Sequence, residues 1–184
     1  MSRIRLQPES CVLVVVDIQE SLAKAIYEMD RVVDRSRFLI RIAKLLGVPV
    51  VTTEQNPSRM GGTVSSLSDL LDEPFSKMEF SACGCTDVCE KLDSLERRQA
   101  VVVGIETHIC VSQTAHDLLE RGMEVVVCPD AVSARSLERH KLGMERIRDA
   151  GVVPAHTESV AYEWLRSADN PRFREALAVV KEHP

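Results

Sequence analysis

Short runs of apolar, mostly β-branched residues constrain this chain more than anything else in it. Cys11–Val16 (CVLVVV), 48–52 (VPVVT), 100–103 (AVVV) and 124–128 (EVVVC) are nearly continuous in apolar character. A strand with one wet face alternates apolar and polar residues, whereas one that is apolar throughout is covered on both faces, as in a parallel sheet. Pro49 falls near the start of its run, where a missing N–H is tolerated. Residues 152–155 (VVPA) form a weaker fifth run.

Helical patterns fill the gaps. Residues 30–46 repeat apolar side chains near a 3.6 period and stop at Gly47; 109–121 stops at Gly122, and 137–150 at Gly151. Residues 63–71, 86–97 (capped by Thr86 or Asp87), Thr157–Leu165 and 171–182 (with Pro171 in its first turn) complete the set. Strand, helix, glycine, strand is the grammar of right-handed βαβ crossovers, so the expected fold is α/β, a parallel sheet with helices on both faces. No repeat or linker interrupts it, and residues 1–184 read as one domain.

Composition narrows the function. A net charge of −5 disfavours a nucleic-acid partner, which wants a basic face. No apolar run is long enough to span a membrane, and residues 1–10 lack the apolar core of a signal peptide. The expected location is cytoplasmic. There the six cysteines, Cys11, Cys83, Cys85, Cys89, Cys110 and Cys128, are thiols rather than disulfides.

Ligands of such sheets bind at the carboxyl ends of the strands, so chemistry is sought there. Asp17 directly follows the first run. It reads either as a helix cap for the segment that follows or as a partly desolvated carboxylate able to accept a proton. Cys110, in GIETHIC, lies between the third run and a helix. A thiol at a helix N-terminus feels a positive dipole and nearby N–H groups, which favours a thiolate nucleophile; the alternative is a small core residue. Lys77, in PFSKMEFS between two helical patterns, has apolar flanks and needs a carboxylate partner, for which Asp17 is the candidate.

DIQ at 17–19, TEQ at 53–55, FSK…FS at 75–81 and GIETHICVSQTAHDLLERG at 104–122 together resemble the isochorismatase-like cysteine hydrolases, closest to the isochorismatase domain-containing branch. The DA.SAR stretch at 130–135 and the closing NP.F motif extend the likeness over nearly the whole chain. The resemblance implies a three-layer α/β/α sandwich with a six-stranded, mostly parallel sheet. It implies a catalytic triad of Asp17, Lys77 and Cys110, with Asp17 as base and Lys77 its paired cation. It also implies a cis peptide at Ile105–Glu106, which aims the Glu106 N–H, with that of Cys110, into an oxyanion hole.

The implied reaction is hydrolysis of an amide- or imide-type C–N bond of a small molecule through a Cys110 thioester. Glu106 departs from the small residue of many relatives, and its side chain is expected to point away from the sulfur. TTEQNPSRMGG at 52–62 lacks the histidine of the metal-binding branch, so no metal and no cofactor are expected. Gln19, Gln55, Met60, Phe80 and His108 are the expected pocket residues. A homo-oligomer, dimer or tetramer, is the expected assembly. An apolar stripe of Phe173, Leu177 and Val180 is available for contact or for core closure. The alternative function is a regulatory oligomer that binds a metabolite without turning it over.

Cys83, Cys85 and Cys89 form CxCxxxC, which falls short of a four-ligand zinc site and reads as packing or pocket thiols. His108 suggests a Cys–His dyad, but residues two apart at a turn rarely face each other.

Overall fold

The valine-rich runs form the middle of a parallel sheet in the computed structural model, which describes residues 4–183. Residues 1–3 of the polar N-terminal stretch, and residue 184, lie outside the described residues. The strands are β1 (Cys11–Val16), β2 (Val50–Gln55), β3 (Phe75–Lys77), β4 (Gln99–Ile105), β5 (Glu124–Ser133) and β6 (Val153–Pro154). Among the described residues they lie in the order β3-β2-β1-β4-β5-β6, every neighbouring pair parallel. The chain runs outward from β1 to β3, then returns to lay β4 on the other side of β1. The strand order therefore switches between β1 and β4, where such sheets place a ligand crevice.

The helices are α1 (Glu20–Ala23), α2 (Met29–Leu46), α3 (Pro57–Met60), α4 (Ser65–Ser68), α5 (Thr86–Ser94), α6 (Ser112–Glu120), α7 (Leu137–Asp149), α8 (Thr157–Leu165) and α9 (Phe173–Glu182). Successive strand residues serve opposite cores because side chains alternate across a sheet. Leu13, Val15, Val101 and Val103 pack with Phe38, Leu39 and Trp164 from α2 and α8. Val12, Val14, Val16, Val102 and Val127 pack with Val88, Leu118 and Ile147 from α5, α6 and α7. Every side chain of β1 is fully buried. At roughly 1.5–3 kcal/mol for each buried aliphatic side chain, these two faces supply the main driving force.

Several boundaries differ from the sequence reading, each for a local reason. β2 starts after Pro49 and runs on through the polar Thr53–Gln55 stretch, whose side chains bond within the protein. β5 continues past Pro129 to Ser133, with a register shift against β4 between Val102 and Gly104. β3 is only three residues long, too short to show a period. Residues 63–71 form one short helical turn, α4. The caps also move: Cys85 precedes α5, and Arg172 precedes α9, leaving Pro171 outside that helix. Asp17 caps nothing, since Gln19 stands at the N-cap of α1. Of the α9 stripe, Phe173 and Val180 pack against the core beside the buried Ala176 and Val179, while Leu177 is half-buried outside that cluster.

Candidate active site

Three strand ends and one turn converge at the switch point. β1 ends at Val16, and Asp17 follows in a left-handed conformation (φ 52°), which turns the chain out of the sheet. Its partner strand makes room at Gly104, where φ is +120° and an added Cβ would stand 2.1 Å from the Val16 carbonyl oxygen. Only glycine fits there, so the backbone beneath Asp17 depends on that residue.

Asp17 and Lys77 form a fully buried ion pair, Nζ to Oδ2 2.7 Å. Lys77 reaches it from the end of β3, which the sequence reading left between two helices. Its ammonium also donates to Gln55 Oε1 at 2.8 Å and to the carbonyls of Glu79 and Phe80 at 3.1 Å each. The other Asp17 oxygen accepts the Thr53 hydroxyl at 2.7 Å. Both charges are thus paired and bonded, the condition under which a buried ion pair is tolerated. The sequence reading missed Thr53 because a hydroxyl on a buried strand reads as packing; its position in TEQ, at a strand's carboxyl end, was the available signal.

Cys110 lies in an irregular helical turn, Thr107–Val111, wound one residue wider than an α-helix. Such turns occur often at functional sites. The Ile105–Glu106 peptide entering it is cis. The Glu106 carbonyl accepts from the N–H of Ile109 (3.0 Å) and of Val111 (3.2 Å), passing over that of Cys110. Helix α7 packs directly on the turn because Gly143 has no Cβ; one there would stand 2.9 Å from the His108 backbone nitrogen.

The Asp17 carboxylate, the Lys77 ammonium and the Glu106 backbone all act on the Cys110 thiol. Only 8% of the residue meets solvent. Burial, and then the Asp17 charge, push this thiol up to about 12, against the opposing pull of Lys77. The helix start favours a thiolate, and this burial opposes it. Desolvation and an adjacent carboxylate outweigh a dipole worth about 1 kcal/mol.

The remaining expected residues divide. Gln55 holds Lys77 and also donates to the Met78 carbonyl at 2.8 Å. Phe80 offers its carbonyl to Lys77 while its ring is 54% exposed. Gln19 is fully buried, its amide spent on the backbone of Gln55 and Gly61, so it braces the site instead of lining a pocket. Met60 is half-buried at the end of α3, with no hydrogen bond or ion pair to the Cys110 cluster. His108 is partly buried, its Nδ1 has no partner, and desolvation lowers its pKa. The Glu106 carboxylate turns to Arg135, 3.0 Å from Nε. Among the described residues, no three His, Cys, Asp or Glu side chains are grouped to hold a metal. No helix among the described residues is long and apolar enough to cross a membrane.

The geometry agrees with the comparisons to known proteins. The isochorismatase domain profile matches residues 11–159. A secreted isochorismatase effector of Phytophthora sojae is 38% identical over 97% of this chain and 88% of its own length. Mouse isochorismatase domain-containing protein 2A is 36% identical over 97% of this chain and 86% of its own. Among solved structures, one described as the MAR1 ribonuclease of Caenorhabditis elegans superposes with a TM-score of 0.93 at 34% identity, covering 98% of this chain and 95% of that one. The shared domain, the parallel sheet and the sequence identity over nearly the full length make this chain a member of the isochorismatase family.

Proposed function

We propose that this protein is a metal-independent cysteine hydrolase that cleaves an amide- or imide-type C–N bond of a small molecule, with Cys110 as nucleophile. One observation carries the reading: a buried thiol lies in the field of a buried carboxylate whose Oδ2 is clamped by an ammonium at 2.7 Å. A proton acceptor and a fixed positive charge beside one sulfur are what thiol addition to a carbonyl requires.

A thiol at about 12 is ionised only about once in 10⁵ molecules at pH 7. Forming the thiolate first would cost about 7 kcal/mol. The proton therefore passes from Cys110 to Asp17 as the sulfur meets the substrate carbon. The developing oxyanion takes the N–H groups of Glu106 and Cys110. Collapse of the tetrahedral species breaks the C–N bond, and the nitrogen leaves with the proton from Asp17. Asp17 then takes a proton from water, whose oxygen attacks the thioester; the C–S bond breaks, Asp17 returns that proton to the Cys110 sulfur, and the acid leaves. Lys77 stays charged throughout and holds the carboxylate in place. The slight exposure of Cys110 supports a small substrate.

A panel of small amides and cyclic imides tests this directly. Hydrolysis of at least one, lost in Cys110→Ala while the fold survives, supports the reading; turnover retained in Cys110→Ala overturns it. The name of the nematode neighbour makes RNA the counter-arm. The net charge of −5 and a buried nucleophile disfavour a polyanion, so RNA is expected to stay intact at low salt. A homo-oligomer in the cytoplasm completes the proposal. The exposed side chains of Met78 and Phe80 beside Lys77, and of Leu142 on α7, support contact between copies.

A further inference from the structure

Five of the six thiols have no part in this chemistry. Cys11 and Cys128 are sealed in the core, and Cys110 is nearly so. The other three, in CGCTDVC, are half-buried on one short 3₁₀ turn (Ala82–Gly84) and the start of α5. Their side chains diverge. Cys85 donates to the Ser76 carbonyl at 3.7 Å, toward β3. Cys89, in the first turn of α5, instead donates to the Cys83 carbonyl at 3.1 Å, which brings its sulfur close enough to act on the Cys83 thiol. From α6 the Asp117 carboxylate and the Arg121 guanidinium, held by Asp93 at 2.5 Å, act on the Cys83 sulfur in opposite senses, and Arg121 also interacts with Cys89.

We propose that Cys83 and Cys89 form a dithiol site that hydroperoxides convert to a disulfide. The Cys89 thiolate attacks one peroxide oxygen and the O–O bond breaks. The sulfur is oxidised to a sulfenic acid, and the other oxygen takes a proton and leaves as an alcohol, or as water from hydrogen peroxide. The Cys83 sulfur then attacks the sulfenic sulfur, the S–O bond breaks, and the hydroxyl departs as water with the Cys83 proton. Two thiols and one hydroperoxide give one disulfide, one alcohol and one water.

The roles follow from the surroundings. Cys89, half-buried in the first turn of α5, is the attacking thiol. Burial and the neighbouring Cys89 push the Cys83 thiol up to about 12, which suits the resolving partner that keeps its proton until water leaves. The bond would fasten to α5 the end of the segment that supplies the Glu79 and Phe80 carbonyls to Lys77 and the Ala82 N–H to Thr114 on α6.

The experiment treats the full chain with one equivalent of hydrogen peroxide or an organic hydroperoxide. Free thiols are then blocked, and the unreduced protein is mapped after cleavage at Asp87, which separates the two cysteines. The expected product is roughly 2 Da lighter, carries a Cys83–Cys89 link, and reverts with dithiothreitol. Cys85→Ser and Cys110→Ala should form the same link, and Cys89→Ser should form none. Cys83→Ser should stop at a sulfenic acid on Cys89, trapped by dimedone. The proposal is overturned if no such link forms, if Cys85 replaces either partner, or if the link needs Cys110. Because the link must survive in Cys110→Ala, its failure is separate from any failure of the hydrolase reading.

Discussion

Replacing Lys77 by methionine keeps nearly the same length of chain and deletes one charge. The structure sets the size of the effect. Lys77 Nζ donates to Asp17, Gln55, Glu79 and Phe80, and both partners of the ion pair are fully buried. In Lys77→Met the Asp17 carboxylate stays buried and keeps the Thr53 hydroxyl as its side-chain hydrogen bond. Stranding a buried charge costs about 3–5 kcal/mol. For a chain of this size each kcal/mol lowers Tm by about 2–4 °C, so a drop of about 6–20 °C is expected. Asp17→Asn in the same background removes the stranded charge. The double variant should be more stable than Lys77→Met alone, with a coupling energy of about 1–3 kcal/mol from the cycle. Differential scanning calorimetry of the four proteins reads both quantities. A drop under about 2 °C in Lys77→Met, or additive single effects, would refute the claim that this pair is a mutually dependent buried unit.

Three other outcomes follow from the same geometry. Because the Cys110 thiol is pushed up to about 12, its alkylation by iodoacetamide should rise tenfold per pH unit past pH 10 without levelling; Asp17→Asn should bring the midpoint down, and a plateau near pH 7 would contradict the site's electrostatics. Cys11 is raised to about 11, and Cys83 and Cys110 to about 12, from an ordinary value near 9.0. The folded state therefore holds these protons more tightly than the unfolded chain. The resulting stability is complete below about pH 9 and is lost as pH climbs toward 12, which urea midpoints across that range would show. Gly104→Ala places a Cβ 2.1 Å from the Val16 carbonyl at a φ of +120°, so soluble yield should collapse or the urea midpoint fall sharply; an unchanged midpoint would show that β1 and β4 can separate without cost.

The sheet was legible because CVLVVV and its relatives have no polar face, and Gly47, Gly122 and Gly151 end their helices at positive φ. Lys77 was harder. Its strand is three residues long, and the pairing that fixes it, Gln55 beside Lys77, joins residues distant in sequence. Thr53 and Gln19 look like ordinary polar residues until the fold shows which atoms they hold. At Cys110 the sequence reveals a helix start, which favours a thiolate, but not the burial that opposes it. The α9 stripe leaves two readings open, and the fold shows Phe173 and Val180 packed against the core.

The central claim is that Cys110 adds to carbonyl carbon with Asp17 as its base. A brief pulse of p-nitrophenyl acetate at pH 7, followed by intact mass and peptide mapping, tests it most directly. The account predicts an acetyl group on Cys110 before any of the other five thiols, formed more slowly in Asp17→Asn. Acetyl groups on Cys83, Cys85 and Cys89, with Cys110 unmodified, would contradict it.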